Sequence, residues 1–279
     1  MLCLTGSLED AAPRLNRHGP EQTAWGLVAG ATDTARALGR LEAAAPGSGM
    51  ALNDSMREAF ARYIELLFAW NDRAALTAVR EPELVGQRLF GESLALLAAL
   101  RDAEVLSHGS SARLADIGSG GGFPGLPMKV VEPGLQLVLI EAQRRRCEFL
   151  ECVVSELGLA GVRVVNARAE DAGRDATLRA TFDLVVARAL APLAVLVEYA
   201  LPLLRVGGVL ATPKGSRASD ELVEAGAALR ALGGVALDPV PLALPEDAPP
   251  QQVLLVRREG ELDDRYPRRA GVPSKRPLS

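Results

Sequence analysis

The apolar residues of this chain change rhythm twice. Met56, Phe60, Tyr63, Ile64, Leu67 and Phe68 fall at the spacing of a continuous stripe on one helix face. A second helix is predicted from roughly Pro82 to Leu100. Helices with such stripes need a surface to pack on, so residues 51–110 are predicted to form a small helical cap. Residues 1–50 read as a peripheral N-terminal extension. It holds a helix rich in Ala and Gly from Glu21 to Ala45, and Pro-Gly-Ser-Gly at 46–49 reads as a flexible joint.

From about Ala112 short apolar runs alternate with helix-length segments. The runs are Leu114 to Ile117, Leu135 to Ile140, Val162 to Val165, Leu184 to Ala187 and Val209 to Thr212. The helical segments include Arg144 to Leu157, Pro192 to Leu204 and Ala218 to Leu232. Strand and helix in alternation imply right-handed crossovers and a mostly parallel sheet covered on both faces. Val235 to Val240 and Val253 to Val256 flank a proline-rich connection and suit a final antiparallel hairpin. One α/β domain is therefore expected over 111–260, followed by a basic tail over 261–279. From Arg265 onward that tail has five cations, no acid and three prolines, so it is expected to be extended and able to track phosphates.

Composition narrows the functional classes. With 279 residues, 48% of them hydrophobic, the chain can bury a large core without metals or disulfides. A net charge of −4 argues against nucleic-acid binding by bulk charge and leaves only local basic clusters. Of 31 basic residues only Lys129, Lys214 and Lys275 are lysine, so arginine is the default cation and its abundance is discounted. Cys3, Cys147 and Cys152 form no disulfide framework and no CxxC pair. No apolar stretch reaches membrane-span length, and the first ten residues lack a secretory pattern. A cytoplasmic monomer without metal or membrane partners is expected.

The chemistry concentrates in DIGSGGGFPGLP, Asp116 to Pro127. Glycines at 118, 120, 121 and 122 let a backbone turn tightly and approach a ligand. A loop placed after the first parallel strand sits at the carboxyl edge where ligands bind. Gly120, Gly122 and Gly125 also satisfy the dinucleotide spacing, which keeps a nicotinamide-dependent oxidoreductase as an alternative. A pyrophosphate needs a helix start free of negative charge, whereas Asp116 precedes the loop and Pro124 and Pro127 restrict the helix. An acid there suits a cationic ligand such as S-adenosylmethionine. Glu141, ending the second strand, is placed to take ribose hydroxyls. Arg188 interrupts an apolar run and needs a partner at the sheet edge. Arg144, Arg145 and Arg146 open a helix against its dipole, which suits an RNA phosphate. His18 and His108 read as solvated, and no catalytic triad or metal-ligand spacing is apparent.

The loop and its surroundings resemble the RsmG family, once called glucose-inhibited division protein B. The resemblance runs from about Tyr63 to Leu278. It includes YIELLFAWNDRAALTAVREP, VLIEAQRRRCEFLE, NARAED, FDLVVARALAPL, GGVLATPKGS and the tail YPRRAGVPSKRPL. It implies a Rossmann-like class I methyltransferase that uses S-adenosylmethionine. Its expected target is guanine N7 in 16S ribosomal RNA of the 30S subunit, at guanine 527 of the 530 loop. Carried over by position, Gly118, Ser119, Gly120, Gly122 and Phe123 would form the donor pocket. Glu141 would hold the ribose, and Ala169 and Glu170 would lie against the adenine. Arg188 would face donor and target base as the catalytic residue, while Arg168 and Lys214 would belong to an RNA-binding rim. The chain departs from the usual pattern at Ala75, Leu89, Glu92, Gln251 and Gln252, where members carry Asn, His, Asp, Arg and His. These departures keep a non-catalytic RNA-binding relative as a further alternative.

Overall fold

The computed structural model describes residues 24–278. Cys3, His18 and the expected helix start at Glu21 lie outside the described residues. The described chain opens with α1 (Ala24–Ala44), a single 3-10 turn (Ala45–Ser48) and α2 (Asp54–Ala74). Asn53 starts α2 by accepting the Met56 N–H at 2.9 Å, which satisfies a donor that the first helical turn leaves free. The middle of the stripe is buried as its spacing requires, and Met56 and Phe68 at its ends are half-buried. Phe60, Tyr63, Ile64 and Leu67 have no measurable exposure, and Ala37 and Leu41 of α1 join them in one hydrophobic cluster.

The second cap helix is not one regular helix. It begins as α3 (Pro82–Leu84), becomes π-helical over Val85–Gly91 and resumes as α4 (Glu92–Asp102). At this junction the Glu92 N–H reaches back five residues to the Gln87 carbonyl. The Arg88 carbonyl is thereby left for a partner outside the helix. Hydrophobic spacing continues smoothly across this stretch, so periodicity carried no sign of it.

α2 ends at Ala75, whose φ of 47° and ψ of 54° are left-handed. The turn is locked by Asn71, whose Oδ1 accepts the Leu76 and Thr77 N–H groups at 3.0 Å each and whose Nδ2 donates to the Thr77 carbonyl at 3.1 Å. An alanine Cβ is disfavoured in this conformation, whereas asparagine tolerates it. Ala75→Asn, the residue that the resemblance gives at this position, is expected to stabilise the protein by about 1 kcal/mol and raise the thermal midpoint by about 3 °C. An unchanged or lowered midpoint in a melting experiment contradicts this.

The α/β part runs β1 (Arg113–Ile117), α5 (Gly125–Val131), β2 (Gln136–Glu141), α6 (Arg144–Glu156), β3 (Val162–Asn166), α7 (Ala169–Ala172), β4 (Phe182–Val186), α8 (Leu193–Ala200) and β5 (Leu204–Lys214). It continues through α9 (Ala218–Glu224), α10 (Gly226–Leu232), β6 (Gly234–Ala236), β7 (Val240–Pro241), β8 (Gln252–Arg258) and α11 (Val272–Lys275). The sheet order is β3-β2-β1-β4-β5-β8-β6, with β7 also on β8. β1 to β5 are parallel, and β8 is antiparallel to β5, β6 and β7. Strand residues alternate between two cores: Leu114, Leu139 and Val186 face the cap, while Ala115, Ile140 and Val185 face α8 and α10. Such two-faced burial is why the strands read as unbroken apolar runs.

Three boundaries move. The helix expected to reach Leu204 stops at Ala200 because Pro202 cannot continue it, and β5 begins at Leu204. The helix expected over 218–232 is divided at Ala225, ahead of Gly226. The expected strand Val235 to Val240 is interrupted, leaving β6 and β7 as two short pieces on β8.

The C-terminal stretch corrects a larger expectation. It is not an extended arm: Tyr266 and Pro273 are buried, and Val272–Lys275 forms α11. Gly271, with φ of 80°, reverses the chain just before that turn.

Candidate active site

The β1 and β4 strands lie side by side while their connections leave toward opposite sides of the sheet. This is the switch point at which α/β sheets open a crevice beyond their strand ends. A cleft of about 470 Å³ opens there, within the size range of small-molecule sites. Its walls come from Gly118 after β1, Glu141 to Gln143 after β2, Ala167 to Glu170 after β3, and Arg188 to Ala191 after β4, with Arg146, Tyr199 and Ser274.

The loop after β1 is held both by its neighbours and by the start of the helix that follows it. The Gly118 N–H donates to the Ile140 carbonyl at 2.8 Å, and Ser119 Oγ to the Asp116 carbonyl at 2.8 Å. Glu141 ties two loops together: Oε2 accepts the Gly120 N–H at 2.9 Å and Oε1 the Gln143 N–H at 2.8 Å. Gly118, at φ of 68°, lies so near Leu190 that a Cβ would stand 2.6 Å from its Cδ1. Only a residue without a side chain leaves this floor open.

The expected donor residues separate into two groups. Gly118, Glu141, Ala169, Glu170 and Arg188 line the cleft. Asp116, Ser119, Gly120, Gly122 and Phe123 lie outside that lining and shape the loop from behind. Phe123 stacks on Tyr63 at 5.4 Å between ring centroids and meets Phe90 edge-on at 4.9 Å. The Tyr63 hydroxyl donates to the Gly121 carbonyl. The cap thus presses on the glycine loop through an aromatic cluster. Burial raises the Tyr63 pKa well above the ordinary phenol value, so this hydroxyl remains a donor.

Asp116 is fully buried beneath the loop. Its Oδ2 accepts the Gly125 N–H at 2.8 Å, and its Oδ1 has no partner. Burial is the main cause that raises its pKa to about 7, while the Gly125 amide and Arg188 oppose the shift. The same geometry answers the dinucleotide alternative. At the start of α5 the Gly125 N–H is bound to Asp116, the Leu126 N–H to the Gly122 carbonyl at 2.8 Å, and Pro127 has none. No free amide is left there for a pyrophosphate.

Arg188 spans cap and cleft. Its Nη1 donates to the Arg88 carbonyl at 2.6 Å, the oxygen released by the π-helical turn, and lies 3.7 Å from Glu92 Oε2. Its guanidinium stands 5.4 Å from the Phe123 ring centroid. Burial lowers the Arg188 pKa, opposed chiefly by Glu92, and burial raises that of Glu92. Gln251 Nε2 donates to Glu92 Oε1 at 3.0 Å. Two of the positions that depart from the family pattern therefore sit together, one orienting the other around Arg188.

The expected RNA residues are not equivalent. Arg168 is exposed on the cleft wall, and Arg145 is exposed on α6. Arg144 pairs with Glu148 one turn along at 3.2 Å. Arg146 is turned inward: its Nη2 donates to the Ala75 carbonyl at 2.9 Å, and Nη1 lies 4.0 Å from Glu141. Lys214 is engaged inside the fold, donating to the Ala191 carbonyl at 2.9 Å and pairing with Glu221 at 2.8 Å. Glu221 also accepts the Leu193 N–H at 2.8 Å, so this pair fixes the start of α8.

Several residues of the site escaped the sequence reading. Tyr199 of α8 lines the cleft, and burial followed by the charge of Glu170 raises its pKa. Ser274 arrives from the C-terminal turn. Glu198 and Arg268 form a bidentate pair with contacts of 2.6 to 3.1 Å. A buried acid inside LAVLVEYA was the one available sign of that pair. Among the described residues no cluster has the ligands of a metal site, and no helix is long and apolar enough to cross a membrane.

Residues 56–243 match the family model described as GidB, rRNA small subunit methyltransferase G. The chain is 41% identical over 227 residues to the ribosomal RNA small subunit methyltransferase G of Desulfitobacterium hafniense (strain Y51), covering 81% of this chain and 91% of that protein. It is 42% identical over 231 residues to the protein of the same name from Streptococcus sanguinis (strain SK36), covering 82% and 94%. Among solved structures it is similar to a precorrin-6y C5,15-methyltransferase from Geobacter metallireducens, with a TM-score of 0.43 and 17% identity over 61% of this chain and 88% of that one.

Proposed function

The chain belongs to the rRNA small subunit methyltransferase G family, and from that premise we propose that it methylates a guanine at N7 in 16S ribosomal RNA of the small subunit, in the cytoplasm. S-adenosylmethionine is the donor. The observation that carries the reading is the cleft at the β1–β4 switch, with a side-chain-free floor at Gly118 and a carboxylate wall at Glu141.

The residues present fit this donor. Glu141 keeps acceptor capacity on both oxygens beyond the two loop amides it already binds, which suits a ribose diol. Ala169 and Glu170, neighbours on the cleft wall, offer an apolar and a polar contact to an adenine. Asp116, buried beneath the loop, occupies the Gly125 amide that a phosphate would otherwise use, which favours a cationic ligand over a phosphate. When bound, the donor supplies an electrophilic methyl group on a sulfonium.

Guanine N7 has an in-plane lone pair and carries no proton, so no side chain needs to act as a base before transfer. The work left to the protein is orientation and exclusion of water, which alone can supply much of a rate acceleration. Arg188, fixed from three sides, is the side chain placed to orient the base. Arg168, exposed on the cleft wall, and Arg145, exposed on α6, are two cations available to RNA phosphates.

Incubation with methyl-labelled donor and 30S particles lacking the modification is expected to place label in 16S RNA as N7-methylguanine. Donor binding without label in any ribosomal particle would instead favour a non-catalytic RNA-binding relative. Tight binding of NADH in place of S-adenosylhomocysteine would return the chain to the oxidoreductase reading.

A further inference from the structure

The C-terminal stretch, unlike an arm reaching for RNA, is pinned at its base and delivered to the cleft. Glu198 on α8 is fully buried. Both its oxygens are taken by Arg268, through the backbone N–H at 2.8 Å, Nε at 2.9 and 3.1 Å and Nη2 at 2.6 Å. A buried carboxylate requires such a partner, and a planar guanidinium satisfies both oxygens at once. Arg179 adds a second anchor, donating from Nη1 to the Tyr266 carbonyl at 2.7 Å.

Past this base the chain reverses at Gly271, whose N–H donates to Glu170 Oε1 at 2.7 Å. Ser274 then stands at the cleft beside Glu170 and Tyr199. The segment therefore fixes one cleft carboxylate and supplies part of the adjoining wall.

We propose that residues 265–278 form a strap that completes the donor cleft on its α7 side, with Arg268 as the positioning residue that holds it. Donor affinity then depends on the strap, although its residues follow the last strand of the sheet. The inference rests on the donor-binding reading given above.

Two forms of the protein test it by calorimetry with S-adenosylhomocysteine. In the full chain, Ser274→Trp places an indole at an exposed position on the cleft wall. It is expected to weaken binding by about tenfold or more and to leave the ligand-free thermal midpoint within about 2 °C. A chain ending at Asp264 is expected to lose affinity by about tenfold or more, and a saturating peptide of residues 265–279 restores it to within about threefold. The donor KM should rise in both forms with kcat retained, a split that general destabilisation does not produce.

Donor affinity within about twofold of the unmodified protein in both forms overturns the strap. So does loss of 30S binding with donor affinity intact, which makes the segment an RNA arm. If the shortened chain does not fold, as judged by circular dichroism, Ser274→Trp alone decides. An unmodified protein that fails to bind S-adenosylhomocysteine sinks the donor reading instead, before either form is compared.

Discussion

Arg188→Ala is expected to lower methyl transfer by about a hundredfold to a thousandfold while S-adenosylhomocysteine still binds within about threefold. The guanidinium is held by the Arg88 carbonyl at 2.6 Å and by Glu92 at 3.7 Å, so its position is set before any substrate arrives. A pre-set donor is worth more than a mobile one because no reorganisation is needed at the moment of reaction. The reaction needs no base, and orientation is therefore what alanine removes. Gly118, Glu141 and Glu170, the cleft residues proposed to hold the donor, are not touched by the substitution.

Stability should fall as well, by about 2 kcal/mol, because Glu92 loses a charged partner in a site only 12% exposed. Arg188→Lys should retain the charge but little of the turnover, since one ammonium does not reproduce the planar contact with carbonyl, carboxylate and ring together. Single-turnover kinetics with 30S particles, beside calorimetry, separates these effects. Unchanged turnover removes Arg188 from the site, and a parallel collapse of donor affinity makes it a donor ligand.

How much of this site was legible beforehand follows from the range of each interaction. The strands announced themselves because they are buried on both faces, and the glycine loop because closely spaced glycines are a local signal. Glu141 could be placed by counting from that loop. Contacts made across long separations left no such trace. Arg268 and Glu198 are 70 residues apart, so the tail read as free cations when one of them was already neutralised. Lys214 read as a rim cation although Glu221 is near it in sequence, because neither the packing of that helix nor the bond to the Ala191 carbonyl is stated by the sequence. The π-helical turn was invisible for a different reason. It changes which carbonyl is free without disturbing which residues are apolar.

At Asp116 the fold gives the acid other surroundings than its place in the sequence suggested. The acid before the loop was expected to face a cation. In the fold it lies under the loop and binds the Gly125 amide, so it braces the loop backbone instead of lining the cleft. Hydrophobic pattern reports depth in the core, but not which side of a loop a polar group takes.

That dependence of the loop on what lies beneath and above it gives the second large effect, at Gly122. Its φ of 89° already disfavours any side chain. A Cβ would also stand 2.4 Å from the Tyr63 hydroxyl oxygen and 2.5 Å from Leu126 Cδ1. Neither neighbour has room to retreat, because both are fully buried and Tyr63 is wedged between Phe90 and Phe123. Gly122→Ala therefore combines backbone strain with overpacking and is expected to cost about 3 kcal/mol, lowering the thermal midpoint by about 6 to 12 °C. The loop should shift with it, weakening donor binding by about tenfold or more. Tyr63→Phe on its own should cost about 1 kcal/mol through the lost bond to the Gly121 carbonyl. Added to Gly122→Ala it removes the nearer clash, so the double variant should be less destabilised than the sum of the two single ones. A double-mutant cycle by denaturant unfolding reads this coupling directly. Strict additivity would mean that the cap does not press on the loop at Tyr63, and that the glycine is required there for its backbone conformation alone.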